Sequence, residues 1–478
     1  MISILNYIDG KMCAPSTGEY MDLTDPASGK HYAYVPDSNL NDVTKAVAAA
    51  EKAFQGWSQT SVSERSSILS KIADLIDRNI ERLAEAESLD NGKPQWLAQR
   101  VDIPRSSANF RFFAQAITSF SSESHEMTDA INYTLRNPLG VVGTISPWNL
   151  PLYLFSWKIA PALATGNTVI AKPSEVTPMT AFLLSEICIE AGLPPGVLNI
   201  VHGDGIKVGS EITKHPQIKA ISFTGSTRVG KQIASIAAPM FKKLSLEMGG
   251  KNPNIIFADC DYDKMLRTTL RASWANQGQI CLCGSRIFVE ASIYEQFKKD
   301  FIQRTQGMVV GHPADSKTKV GAIVSREHYE KILNYIELAK EEGGTILTGG
   351  HAVFPDGYEE GYYIAPTIIE GLSHDCRTNQ EEIFGPVVTI MPFDSEDEVL
   401  AMANGVNYGL SATLWTENLS RAHRMAREIE AGIVWINTWL HRDLRTPFGG
   451  MKNSGVGREG GLEVLRFFTE PKNVCIQF

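Results

Sequence analysis

Three short segments of the sequence hold residues whose types suit covalent chemistry at a carbonyl carbon. In Ala275-Asn-Gln-Gly-Gln-Ile-Cys281-Leu-Cys-Gly-Ser-Arg286, a cysteine follows a helical stretch in a run crowded with Gly, Asn and Gln. At such a helix-to-loop junction, backbone N–H groups and amide donors can favour the thiolate, which is the nucleophilic form. A buried structural thiol is the commoner fate of this residue type. In Leu244-Ser-Leu-Glu247-Met-Gly-Gly-Lys-Asn-Pro253, one carboxylate lies among apolar residues just before two glycines. Desolvation there raises a carboxyl pKa and makes a usable base near neutral pH; a capping or ion-paired role is the alternative. Ile145-Ser-Pro-Trp-Asn149-Leu-Pro-Leu152 sets an amide beside a tryptophan and between two prolines. Asn149 there offers N–H donors on a stiff backbone, as an oxyanion site requires, or else it closes an Asx-turn.

These residues need elements to position them. Apolar residues three and four apart predict helices across 39–88, ending at Asn91-Gly92-Lys93-Pro94, and another over roughly 104–117. From about 140 the rhythm changes to short apolar strands alternating with helices. Strands are expected at 168–171, 197–201 and 219–223, with a helix over about 178–191 and another beginning near Arg228. This βαβα succession predicts a doubly wound parallel sheet. A second series opens at 254–257, with helices near 262–276, 325–343, 395–404 and 419–429. The expected α/β architecture is therefore two doubly wound parallel-sheet domains and a small β element. Residues 1–118 and 140–249 form a cofactor domain, 250–453 a catalytic domain, and 119–139 with 454–478 an oligomerisation segment.

Composition excludes several classes. The 478 residues carry a formal charge of −9 and are 43 % hydrophobic and 21 % charged, so a polyanion such as nucleic acid is not an expected partner. No run approaches the roughly 18 apolar residues of a membrane span. The N-terminal stretch lacks the charged start and apolar centre of a secretory signal, which makes the cytoplasm the expected location. Seven scattered cysteines do not form a disulfide framework. The spacing of Cys281-Leu-Cys283 fits neither a CxxC redox pair nor zinc, and no metal is expected.

Together the three segments resemble the aldehyde dehydrogenase superfamily, from Asn6-Tyr-Ile-Asp-Gly10 to Phe448-Gly-Gly-Met-Lys-Asn-Ser-Gly455. Gly278-Gln279-Ile280-Cys281 resembles its cysteine signature, Leu246-Glu247-Met248-Gly249-Gly250 its glutamate signature, and Pro147-Trp148-Asn149 its oxyanion motif. The resemblance implies that Cys281 attacks an aldehyde, Asn149 and the Cys281 backbone N–H hold the developing oxyanion, and Glu247 activates water against the thioester. A carboxylate poised for water favours hydrolysis over transfer to coenzyme A or phosphate.

NAD is the implied cofactor. Gly203-Asp-Gly205-Ile-Lys-Val-Gly209 has one residue too many for the usual dinucleotide fingerprint. Phe223-Thr-Gly225-Ser226-Thr-Arg-Val-Gly230, a strand end followed by a helix start, matches the family's cofactor loop. By the same resemblance Lys172 and Glu175 hold the adenine ribose, with Ser146, Trp148, Ser174 and Gly205 also around the cofactor. A carboxylate facing the 2′-hydroxyl would repel a 2′-phosphate, which favours NAD over NADP. Glu382 and Phe384 match positions that hold the nicotinamide ribose; a surface role for Glu381 or Glu382 is the alternative.

Two arginines bear on the substrate. Arg105 lies in Asp102-Ile-Pro-Arg105 at a predicted helix start, where a cation opposes the helix dipole. Arg442 lies in a loop that in this family forms the substrate tunnel, with Leu150, Tyr153, Leu154 and Trp157 as further expected lining. Two guanidinium groups facing one tunnel suit a substrate carboxylate; Arg445 and Arg111 are nearby alternatives. Asp102-Ile-Pro-Arg-Ser-Ser-Ala-Asn-Phe-Arg-Phe-Phe and Arg442-Asp-Leu-Arg-Thr look like the branch that oxidises 2-hydroxymuconic and 2-aminomuconic 6-semialdehydes. A generic or betaine-type enzyme with ion-paired arginines stays open, as does a non-catalytic structural relative. The alternation of Thr469-Glu-Pro-Lys-Asn-Val-Cys-Ile-Gln-Phe478 suggests an edge strand that pairs with another subunit, and the resemblance implies a homodimer or homotetramer.

Overall fold

A computed structural model describes residues 2–478. Its first sheet contains five parallel strands in the spatial order Leu198–Ile200, Thr168–Lys172, Val141–Ile145, Ile218–Thr224, Lys243–Glu247. In chain order this is 3-2-1-4-5, so the winding reverses between Val141–Ile145 and Ile218–Thr224. The strand Val141–Ile145 and its neighbour Thr168–Lys172 are buried at every position. Unbroken apolar runs of this kind form where helices cover both faces. The helices Leu40–Trp57 and Pro151–Ala164 are among those that pack on them.

The second sheet aligns Thr367–Glu370, Val387–Phe393, Arg286–Glu290, Pro253–Ile256, Ser411–Trp415 and Ile433–Ile436, all parallel. Thr345–Thr348 joins one edge antiparallel. Two doubly wound layers thus match the expected fold. The helix Tyr294–Gln306, with Phe297 and Phe301 buried against Trp274, was not anticipated. Nor was Gly461–Phe467, which starts without a side-chain cap.

The third unit is a sheet in which Thr469–Gln477 pairs antiparallel along the whole of Ala130–Pro138, with Ser124–Glu126 beyond it. Residues 455–467 lie outside it. Gly455–Val456 pairs with the end of Lys243–Glu247, and Val464, Leu465 and Phe468 enter the main apolar core. Of the stretch 454–478, only the last strand, Thr469–Gln477, belongs to this sheet. Among the described residues no helix is long and apolar enough to cross a membrane.

The start of the Arg105 helix also differs from expectation. A π-helical turn, Ala98–Asp102, runs directly into Ile103–Ala116, and the Ile103 N–H already bonds to the Ala98 carbonyl. Arg105 therefore meets no free helix N-terminus, and the expected conflict with the dipole does not arise.

The loop that carries Cys281 lies between the helix Tyr262–Trp274 and the strand Arg286–Glu290. Asn276, Gln277 and Gly278 take left-handed backbone angles in succession, with φ of 51°, 57° and 71°. A Cβ on Gly278 would lie 2.1 Å from the Gly385 carbonyl oxygen, so only glycine allows this approach. Gly278→Ala is expected to lower stability by more than about 1 kcal/mol, read as a lower Tm. An unchanged Tm with full activity would show that the loop tolerates a side chain there.

Candidate active site

Open parallel sheets bind ligands beyond their strand C-termini, where the winding reverses. Both strands at the reversal end in residues that the sequence singled out. Val141–Ile145 runs into Ser146, Trp148 and Asn149, and Ile218–Thr224 runs into Gly225, Ser226 and the helix Thr227–Ala237. Beyond them lies a cavity of about 220 Å³ whose walls include Trp148, Asn149, Gly225, Ser226, Cys281, Glu382 and Phe384.

Cys281 reaches this cavity from the second sheet. The strained loop before it is held by its own amides: Gln277 Nε2 donates to the Ala322 carbonyl at 3.1 Å, and Asn276 Nδ2 to the Asn149 carbonyl at 2.9 Å. Asn252 Nδ2 donates to the carbonyls of Cys281 and Cys283, at 2.7 and 2.9 Å. The expectation that this site favours thiolate is corrected. Burial first, then the Glu382 and Glu247 carboxyls, push the Cys281 thiol well above its usual range, and Arg442 opposes them only in part.

Glu247 ends its strand with both carboxylate oxygens buried and without a hydrogen-bond partner. Burial and the neighbouring Glu459 raise its pKa, against the opposing pull of Lys158, Arg458 and Arg442. The carboxyl thus holds its proton into the range where a catalytic base operates. Asn149 Nδ2 donates to the Gln279 carbonyl at 3.0 Å, two residues before the nucleophile. An amide nitrogen carries two hydrogens, so one remains for an oxygen bound in the cavity.

The cofactor residues divide into two groups. Trp148, Gly225, Ser226, Glu382 and Phe384 line the cavity. The alternative surface role fits Glu381, which pairs with Arg377, whereas Glu382 Oε1 accepts the Gly250 N–H at 2.9 Å. Ser226 Oγ caps the helix by accepting the Val229 N–H. Lys172 Nζ and Glu175 Oε2 form a 2.7 Å ion pair past the end of their strand. Ser146 and Thr224 each bury a hydroxyl with no partner beside this crevice, which fits a polar ligand arriving there. Three more of the expected residues lie apart from the cavity. The Phe223 ring is core and supports Gly225 from beneath, since a Cβ on Gly225 would lie 2.5 Å from it. Ser174 Oγ accepts the Val176 N–H within its own turn. Gly205 is exposed at the start of a π-helical turn and does not line the cavity.

Arg105 and Arg442 come together. Arg442 Nη1 donates to Tyr153 Oη at 3.0 Å, and its Cζ lies 4.0 Å from the Phe448 ring centre and 5.4 Å from that of Trp157. Arg105 lies over Tyr153 and Trp157 at 5.4 and 6.0 Å, with Nε and Nη2 buried and without a partner. Burial lowers its pKa, Tyr153 opposes this, and the charge of Arg442 lowers it further. The other arginines are committed: Arg445 pairs with Asp443, and Arg111 with Asp74 and Asp77. Leu150, Tyr153 and Leu154 form an apolar cluster detached from the main core, as a tunnel wall would, whereas Trp157 belongs to the core behind the arginines.

Sequence reasoning missed several groups. His328 and Lys331 line the cavity, and Lys331 Nζ donates to the Glu382 carbonyl at 3.2 Å. Lys158 Nζ bonds to Glu459 Oε1 at 2.7 Å and to Ser222 Oγ at 3.1 Å, and the pair acts on Glu247 from opposite sides in charge. Only the lone lysine in the apolar helix Pro151–Ala164 was a signal for this pair.

A cysteine, a buried carboxyl and an amide donor thus meet around a crevice at the winding reversal. Residues 13–474 match the aldehyde dehydrogenase family, and the chain belongs to it. It is an NAD-dependent enzyme that oxidises an aldehyde to a carboxylic acid. The chain is 50% identical to the 2-aminomuconic semialdehyde dehydrogenase of Danio rerio, covering 99% of this chain and 98% of that protein. It is 46% identical to the 2-hydroxymuconic semialdehyde dehydrogenase of Pseudomonas sp. (strain CF600), over the full length of both. An NAD+ complex of an aldehyde dehydrogenase from Bacillus cereus superposes with a TM-score of 0.97 at 39% identity, covering 100% of this chain and 97% of that one.

Glu247→Gln is expected to lower kcat by about 100-fold or more and to leave a rapid first burst of NADH. Wild-type kcat should rise with pH as the raised Glu247 carboxyl ionises, a dependence the variant loses. Stopped-flow traces across pH check both, and an unchanged kcat would remove Glu247 from the chemistry.

Proposed function

We propose that the enzyme oxidises a semialdehyde that carries a carboxylate at its far end, 2-aminomuconic or 2-hydroxymuconic 6-semialdehyde. One observation carries this reading: the half-buried guanidinium groups of Arg105 and Arg442 lie against the same Tyr153 and Trp157 side chains, and the nearby carboxylate, Asp443, is paired with Arg445 instead. Among the described residues neither Arg105 nor Arg442 makes a salt bridge, although Arg105 buries two unpartnered nitrogens. Unpaired buried cations are unfavourable unless an anion completes them. A substrate carboxylate would do so through paired N–H donors. The names of the two relatives quoted above agree with such a substrate.

In this reading the carboxylate rests on Arg105 and Arg442, and Leu150, Tyr153 and Leu154 wrap the carbon chain. The aldehyde carbon meets Cys281 Sγ, and as the C–S bond forms the thiol proton passes to water in the cavity and on to solvent. Asn149 Nδ2 and the Cys281 backbone N–H hold the resulting oxyanion. Bound NAD supplies the hydride acceptor, with Trp148, Gly225, Ser226, Glu382 and Phe384 around it and Lys172 and Glu175 toward its adenosine end. Glu247 then takes a proton from water, the hydroxide adds to the thioester carbon, and the C–S bond breaks to free the acid. The enzyme is further proposed to act in the cytoplasm as a homodimer or homotetramer. The separate sheet of Thr469–Gln477 and Ala130–Pro138, with Leu135, Ile476 and Phe478 exposed, supports that assembly.

Arg105→Ala and Arg442→Ala should each lower kcat/KM for 2-hydroxymuconic semialdehyde by a factor of about 10 or more, equivalent to about 1.4 kcal/mol. Benzaldehyde, which lacks a carboxylate, should be oxidised as before. Equal losses with both substrates, or no loss with either, would make the arginines structural and withdraw the substrate assignment.

A further inference from the structure

Beneath the oxyanion loop lies a cluster of charges that the chemistry above does not use. Lys93 is buried, and its Nζ bonds to Asp102 Oδ2, to Glu87 Oε1 at 3.3 Å and to the Asn149 backbone carbonyl at 3.2 Å. Glu87 and Asp102 are equally buried. Burial lowers the Lys93 pKa, but Asp102 and then Glu87 more than offset it, so the ammonium keeps its charge. Burial raises the Glu87 pKa, with Lys93 opposing it and the charge of Asp102 adding to it.

Each arm of the cluster reaches a different element. Glu87 lies on the helix Ile80–Asn91, and its Oε2 accepts the Leu152 N–H at 3.2 Å. Leu152 stands in the first turn of Pro151–Ala164, a helix whose N-cap residue, Leu150, supplies no capping bond. Glu87 therefore caps that helix from outside and suits its positive end. Asp102 ends the π-helical turn that leads to Arg105, and its carbonyl accepts Ser106 Oγ at 2.8 Å. The third arm ends on Asn149, whose carbonyl also accepts Asn276 Nδ2 at 2.9 Å and Asn91 Nδ2 at 3.4 Å. Three side-chain donors on one peptide oxygen fix that peptide, and its other end carries the amide aimed at the cavity.

We propose that Lys93, gripped by Glu87 and Asp102, is the positioning residue of the oxyanion donor Asn149. It acts through the Asn149 peptide and touches no reacting atom. The same ammonium anchors the turn leading to Arg105, so one buried charge sets both ends of the substrate site. The inference rests on the oxyanion role given to Asn149, and the test keeps the two apart.

Benzaldehyde oxidation by the full-length enzyme is measured for Lys93→Met, Asn149→Ala and the double variant. Lys93→Met is expected to lower kcat by about 10-fold or more in the parent, with a smaller change in KM, but by less than about 3-fold when Asn149 is already Ala. Such non-additivity distinguishes action through Asn149 from general loosening. An equal factor in both backgrounds overturns the inference. A normal kcat for Asn149→Ala takes away the oxyanion assignment and the inference with it. Should Lys93→Met fail to fold, Glu87 carries the same test. Glu87→Asp keeps a carboxylate for Lys93 and Leu152, so it should lose far less kcat than a folded Glu87→Leu. Equal values for those two variants would also overturn the inference.

Discussion

The bond from Asn149 Nδ2 to the Gln279 carbonyl, and its counterpart from Asn276 Nδ2 to the Asn149 carbonyl, stitch together two sheets that share no strand. Nucleophile and oxyanion donor belong to different layers, so their separation depends on such crossing bonds. Loops alone would leave it loose, and a misplacement of about 1 Å can lower a rate by about 100-fold. The left-handed residues before Cys281 make sense in this light. The unfavourable backbone at Asn276 and Gln277 turns their amides toward Asn149 and Ala322, and the bonds they form retain the strain.

Desolvation is the second organising influence. It raises the pKa of both Cys281 and Glu247, against the pull of the cations around them. Glu459, Lys158, Arg458 and Arg442 are the charges that weigh on Glu247, and they arrive from three separate stretches of chain. Arg442 bears on the nucleophile, the base and the second arginine at once.

Much of this was legible in the sequence because it is local. The alternation of apolar runs gave the doubly wound sheets, and the signatures around Cys281, Glu247 and Asn149 each fit within about a dozen residues. The arginine pair was also visible, because Arg105 and Arg442 stood in segments with family counterparts. What stayed hidden is long-range. Nothing near Lys93 in sequence announces that its ammonium meets Asp102, Glu87 and a carbonyl 56 positions away. Lys158 meets Glu459 across 301 positions. Thiolate was misjudged at Cys281 because composition shows the nearby amides but not Glu382 and Glu247 folding over them. Phe223 and Ser174 were drawn into the cofactor site by motif, whereas their side chains face the core and their own turn.

The arginine pair also bears on how a turnover ends. In the proposed reading it grips a carboxylate that the reaction leaves untouched, so it would hold product as firmly as substrate and give no push toward release. The difference lies at the other end of the molecule. Oxidation replaces a neutral aldehyde with a second anion beside Cys281, where Glu247 and Glu382 already crowd acidic groups. In the proposed reading the product is thus an anion at both ends, with only one of its two carboxylates on the arginine pair.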